Sequence, residues 1–183
     1  MWPLVLGLAL FLGAHSVRIV ADGWRTRTIA RLGAGAWKGG YTVLSLAGLA
    51  LIVWGYGQAR LAPQVLWASA LWTRHLAGAL MLLAMVLLAA AYVPGNGLKA
   101  RLHHPMVLGV KVWALAHLLA NNTLADALLF GGFLLWAVLN FRAARQRDRQ
   151  QGIRYAEGRS GATAVTVLAG LLAWAVFAFW AHA

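Results

Sequence analysis

The chain has 183 residues, 62% of them hydrophobic, with 16 Lys and Arg against 4 acidic residues and a formal net charge of +12. Charged residues make up 11%, less than half of the roughly 25% usual in soluble domains, which excludes an ordinary water-soluble fold. The absence of cysteine excludes disulfides, thiolate nucleophiles, cysteine metal ligands and a CxxCH haem attachment.

Apolar runs over residues 2–20, 41–57, 71–92, 105–120, 124–141 and 163–181 predict an all-α, polytopic membrane bundle: about six transmembrane helices in a single domain over residues 1–183. Runs near 20 residues match the roughly 30 Å hydrocarbon core. An isolated strand would leave its backbone groups unpaired in lipid, whereas a helix satisfies them internally.

In chain order, no basic residue precedes the first run. It therefore lacks the basic leader of a signal peptide and is expected to be retained. This run holds His15, which shares a helical face with Arg18 and Asp22; those two can pair four residues apart. Residues 24–32 put Trp24, Thr28 and Leu32 on one helical face, with Arg25, Arg27 and Arg31 elsewhere. That stretch is either a short helix in the headgroup layer or an irregular basic loop.

His75 opens the third run, after Arg74. Pro94, Gly95, Asn96 and Gly97 spell a turn, and a basic turn with Lys99, Arg101, His103 and His104 leads into Pro105. The fourth run contains Lys111 and His117. Asn121 and Asn122 suit a helix stop, and Thr123 with Asp126 suits a helix start. Residues 142–152 are either a charged extension of the fifth helix or a solvated linker. His182, at the end of the last run, is read as incidental.

Basic residues set the orientation. The first, third and fifth loops contain thirteen: Arg18, Arg25, Arg27, Arg31 and Lys38, then Lys99 and Arg101, then Arg142, Arg145, Arg147, Arg149, Arg154 and Arg159. The second loop contains two, Arg60 and Arg74, and the fourth none. By the positive-inside rule the odd loops face the cytoplasm and both termini lie outside it. Because the basic residues sit between apolar runs, they are assigned to topology, and no nucleic-acid partner is expected.

A buried ionisable group in a membrane is costly and usually has a partner. His15 and His117 are each either a polar lock between helices or a metal ligand. Three roles stand open for Lys111: snorkelling to the interface, pairing with a cofactor carboxylate, or lining a polar cavity. Four carboxylates provide no di-metal set, and no phosphate-cradling glycine loop is present. Neutral histidines in apolar surroundings suit b-type haem, and Met81, Met85 and Met106 keep His/Met ligation open.

The stretches LFLGAHSVR (10–18), WKGGY (37–41), IVWGYG (52–57), WTRH (72–75), AYVPG (91–95), HPM (104–106), GVKVWALAH (109–117) and LLFG (128–131) resemble the NnrU family of bacterial membrane proteins. The resemblance covers about residues 1–150 in the same order, with Asn121-Asn122 in place of an Asn-Gly turn. It implies a multi-pass protein of the bacterial inner membrane, with periplasmic termini and a link to denitrification and nitric oxide metabolism. A plant relative, zeta-carotene isomerase, is a haem b enzyme that isomerises a carotenoid double bond using histidine ligands.

Carried over by position, the resemblance implies haem b with His15 and His117 as metal ligands. His75 and His104 are supporting candidates, and Arg18 and Lys111 accompany the cofactor. Depth counted at 1.5 Å per residue pairs His15 with His104 and His75 with His117 instead. The partners so implied are the lipid bilayer and either a hydrophobic small-molecule substrate or a respiratory enzyme, with the oligomeric state open. Two alternatives stand beside the haem reading: a small-solute transporter with a polar path at Lys111 and Asp126, and an accessory or assembly protein for a respiratory enzyme.

Overall fold

The computed structural model describes residues 1–181, and among them the regular structure is helical throughout. The helices are α1 (Trp2–Val20), α2 (Asp22–Leu61), α3 (Leu71–Tyr92), α4 (Gly97–Leu102), α5 (Pro105–Ala120), α6 (Leu124–Gln150) and α7 (Ser160–Val176), the last continued by a π-helical turn, Phe177–Ala181. Five of them are long and apolar enough to cross a membrane. The remaining expected span is α5, whose 16 residues rise only about 24 Å. The all-α fold expected from the sequence, with helices able to cross a membrane, is the one observed among the described residues.

Three boundaries are more informative than the sequence reading. α2 starts far upstream of residue 41, and residues 22–32 are helical rather than irregular; Gly33, at φ 84° and ψ 157°, separates them from the rest. The charged stretch after residue 141 continues α6 to Gln150. The Pro94–Gly97 turn leads directly into the short helix α4.

The chain divides into two compact units. Unit 1 comprises Met1–Trp67 and Asn122–Gly132. Within it α1 and α2 run antiparallel along a glycine seam. A Cβ on Gly7 would lie 2.6 Å from the Ile52 nitrogen, one on Gly48 2.8 Å from the Phe11 nitrogen, and one on Gly55 2.2 Å from the Leu4 nitrogen. In lipid, where neighbouring tails are as apolar as leucine, such backbone approach is what holds helices together. Leu4 fills the seam and is fully buried.

The start of α6 is tied into the same unit by backbone bonds. The Leu66 N–H donates to the Asn122 carbonyl (2.8 Å), and that of Leu124 to Gln64 (2.9 Å). Thr123 and Asp126 form the expected cap: the Thr123 N–H donates to Asp126 Oδ2 at 3.1 Å and the Thr123 hydroxyl at 2.5 Å. The other carboxylate oxygen, Oδ1, accepts from the Tyr56 hydroxyl at 2.6 Å. Buried Asp126 thus starts one helix and clasps another.

Unit 2 comprises Ala68–Asn121 and Phe133–Ala183, in which α3 packs against α5 and α7. Small residues again set the approach: a Cβ on Gly170 would lie 2.5 Å from the Val86 Cα, and Ala84, Ala90, Ala114 and Ala116 are fully buried. Trp174 Nε1 donates to the Gly78 carbonyl at 3.0 Å. Asn96 organises the turn. Its amide donates to the carbonyls of Ala90 (2.9 Å) and Val93 (2.5 Å), and its Oδ1 accepts from the Lys99 N–H (2.8 Å). One buried side chain therefore closes α3 and caps α4.

Candidate functional site

His15 stands in the last third of α1, half-buried within unit 1. Its Nδ1 lies 2.7 Å from the Phe11 carbonyl oxygen, one helical turn back. A carbonyl only accepts, so Nδ1 carries the proton and, in the neutral ring, Nε2 keeps its lone pair. The Phe11 ring stacks on the imidazole at 4.2 Å and 27°, and Tyr41 of α2 lies against it at 5.1 Å. Arg18 follows three residues later and is exposed. Asp22 lies 3.7 Å from Arg25.

His117, near the end of α5 in unit 2, is built the same way. Its Nδ1 lies 2.9 Å from the Trp113 carbonyl oxygen, again four residues back, and the Trp113 ring lies 5.0 Å from the imidazole. Trp113 is itself held edge to face against Phe133 at 5.5 Å. The ring is half-buried, and its Nε2 is likewise the nitrogen left with a lone pair. Both histidines follow an aromatic residue by four positions, Phe11 to His15 and Trp113 to His117. This spacing is a signal carried by the sequence itself.

The other expected site residues are placed differently. His75 is exposed on the first turn of α3. Lys111, half-buried on α5, directs its ammonium over the Phe141 ring at 5.4 Å. His104 Nε2 donates to Asp148 Oδ2 at 2.8 Å, which commits that nitrogen to a carboxylate.

His104 belongs to a polar cluster that the sequence did not reveal. The Tyr155 hydroxyl donates to the same Asp148 oxygen at 3.0 Å, and the Tyr155 ring lies 4.1 Å from that of His103. Arg145 donates to His103 Nδ1. His103 has φ 69° and ψ −51°, and the His104 N–H reaches the Leu102 carbonyl at 2.9 Å; this is a γ-turn of the rare, strained type. Burial pushes the Asp148 carboxyl up, but the Tyr155 hydrogen bond and the charge and hydrogen bond of His104 outweigh it and hold the group below its ordinary value. Burial, then the bond and charge of Asp148, push the Tyr155 hydroxyl up, so it stays a donor.

Among the described residues no group of three or more His, Asp or Glu side chains is arranged to hold a metal by itself. Asp126, which a solute pathway would use as polar lining, has both oxygens engaged by Thr123 and Tyr56. His182 lies outside the described residues.

One family model, described as NnrU protein, matches residues 3–183, nearly the whole chain. No curated protein and no solved structure matches.

Proposed function

The chain belongs to the NnrU family, and from that premise we propose that it is an inner-membrane protein that binds b-type haem through intramembrane histidines, with His15 and His117, each considered within its own unit, as the ligand candidates. The observation that carries this reading is the common state of the two rings. Each donates Nδ1–H to the backbone carbonyl four residues back, which in the neutral ring makes Nε2 the basic nitrogen. Metal-bound imidazoles nearly always donate their other N–H in this way, which fixes tautomer and orientation and raises ligand basicity. The donor chemistry therefore fits haem b, whose axial positions histidine commonly fills.

Phe11 and Trp113 lie against the two imidazole rings. Arg18, one turn beyond His15, and Lys111, on the helix of His117, are the cations assigned to the cofactor's carboxylates. Bound haem supplies an iron able to take up nitric oxide or to assist isomerisation of a polyene double bond, the two activities suggested by resemblance. Protein purified in detergent after expression with ample haem should give the pyridine haemochrome of haem b. A colourless, well-folded preparation that also takes up no added haemin would end this reading.

The proposed placement has both termini in the periplasm and rests on the thirteen-to-two distribution of basic residues between loops. Reporter fusions at Arg27, Gly97 and Gln150 should all register as cytoplasmic. A periplasmic signal at Gly97, with cytoplasmic signals at the other two, would refute it.

A further inference from the structure

Residues 22–32 are the first helical segment of α2, and Gly33 ends it with a backbone conformation that is essentially glycine's alone. The break brings Trp24 against Trp37, with ring centroids 5.6 Å apart and planes at 70°. In a straight helix thirteen residues would separate the two by about 20 Å. The segment is therefore folded over at Gly33 and is not collinear with the rest of α2.

Its surface is built for a charged boundary. Trp24 and Leu32 are 51% and 66% exposed. Arg27 and Arg31, four residues apart and both exposed, form a basic row beside them. The Arg25 guanidinium lies 6.0 Å from the centre of the Trp37 ring and 3.7 Å from Asp22. Thr26 and Thr28 donate their hydroxyls to the segment's own carbonyls, those of Asp22 and Trp24, both at 2.9 Å, so neither hydroxyl depends on a water partner. From Arg18 to Lys38 five basic residues face one carboxylate, Asp22, which Arg25 already engages.

We propose that residues 22–32 form an anionic-phospholipid-binding arm. Trp24 and Leu32 lie at the acyl boundary, while Arg25, Arg27 and Arg31 hold lipid phosphates. The occupant follows from charge complementarity: a basic row beside an apolar row, with an aromatic pair at the hinge, is the make-up of a helix resting in the headgroup layer of an acidic membrane. This surface is independent of the histidine sites.

The test uses the full chain in vesicles of mixed phosphatidylglycerol and phosphatidylcholine, with either lipid spin-labelled and the motionally restricted fraction read by electron paramagnetic resonance. The wild type should restrict phosphatidylglycerol in preference to phosphatidylcholine, and the preference should weaken as salt rises. Arg25→Gln, Arg27→Gln and Arg31→Gln together should remove most of that preference. The control, Arg142→Gln with Arg149→Gln and Arg154→Gln, changes three exposed basic residues elsewhere and should keep most of it. No preference in the wild type, retention by the first triple variant, or equal loss in both would overturn the assignment.

Discussion

Gly55→Ala should destabilise the protein by about 1–3 kcal/mol, the usual cost of forcing extra volume into a packed contact, whereas Gly57→Ala should be neutral or stabilising by up to about 1 kcal/mol. The two substitutions add the same methyl group to the same helix two residues apart. At Gly55 the new Cβ would lie 2.2 Å from the Leu4 nitrogen and 2.8 Å from its Cα. These are backbone atoms of α1 and cannot rotate aside, so the helices must separate. At Gly57 nothing lies within 4 Å, and alanine there restricts the unfolded chain without a folded-state penalty. Thermal unfolding of the purified protein in detergent reads both signs; equal effects would show that the glycine seam does not hold α1 to α2.

His15→Ala and His117→Ala should each abolish or radically alter the haem spectrum, with the helices retained. Removing a ligand subtracts the stabilisation that a bound cofactor gives to the folded state, but leaves the backbone hydrogen bonds of α1 and α5 in place. His182→Ala should be silent. His75→Ala and His104→Ala are the informative controls. Depth counting favours them as partners of His117 and His15, yet His75 is exposed and His104 is hydrogen-bonded to Asp148. Visible spectra and circular dichroism of the five variants separate the cases. Bleaching by the two controls, with His15→Ala and His117→Ala intact, would move the ligands to His75 and His104.

Much of this architecture was legible because lipid leaves a hydrophobic chain few choices. Apolar runs, flanking charge and the proline at residue 105 set α1, α3 and α5 to the residue. The Thr123–Asp126 cap was readable because its partners are three residues apart. What could not be read depends on distance along the chain. Tyr56 meets Asp126 across 70 residues, and His104 meets Asp148 across 44, and no local pattern encodes either. Asn96 looked like one residue of a turn, whereas its side chain serves two helices at once. The break at Gly33 was obscured because Gly35, Gly39 and Gly40 nearby remain inside the helix, and only the backbone angles single it out. The histidine tautomers occupy a middle ground. The aromatic residues four positions before His15 and His117 were visible, but the Nδ1 bonds to Phe11 and Trp113 emerge only once the rings are placed.

The most direct test of the account is pulsed electron paramagnetic resonance on the ferric, haem-loaded protein grown with 15N-labelled histidine. If His15 and His117 present Nε2 to the iron, labelling should change the ligand nitrogen hyperfine couplings in the wild type, and that pattern should be reduced or altered in each of His15→Ala and His117→Ala. Labelled-nitrogen couplings that are absent in the wild type, or that survive unaltered in both variants, would contradict it.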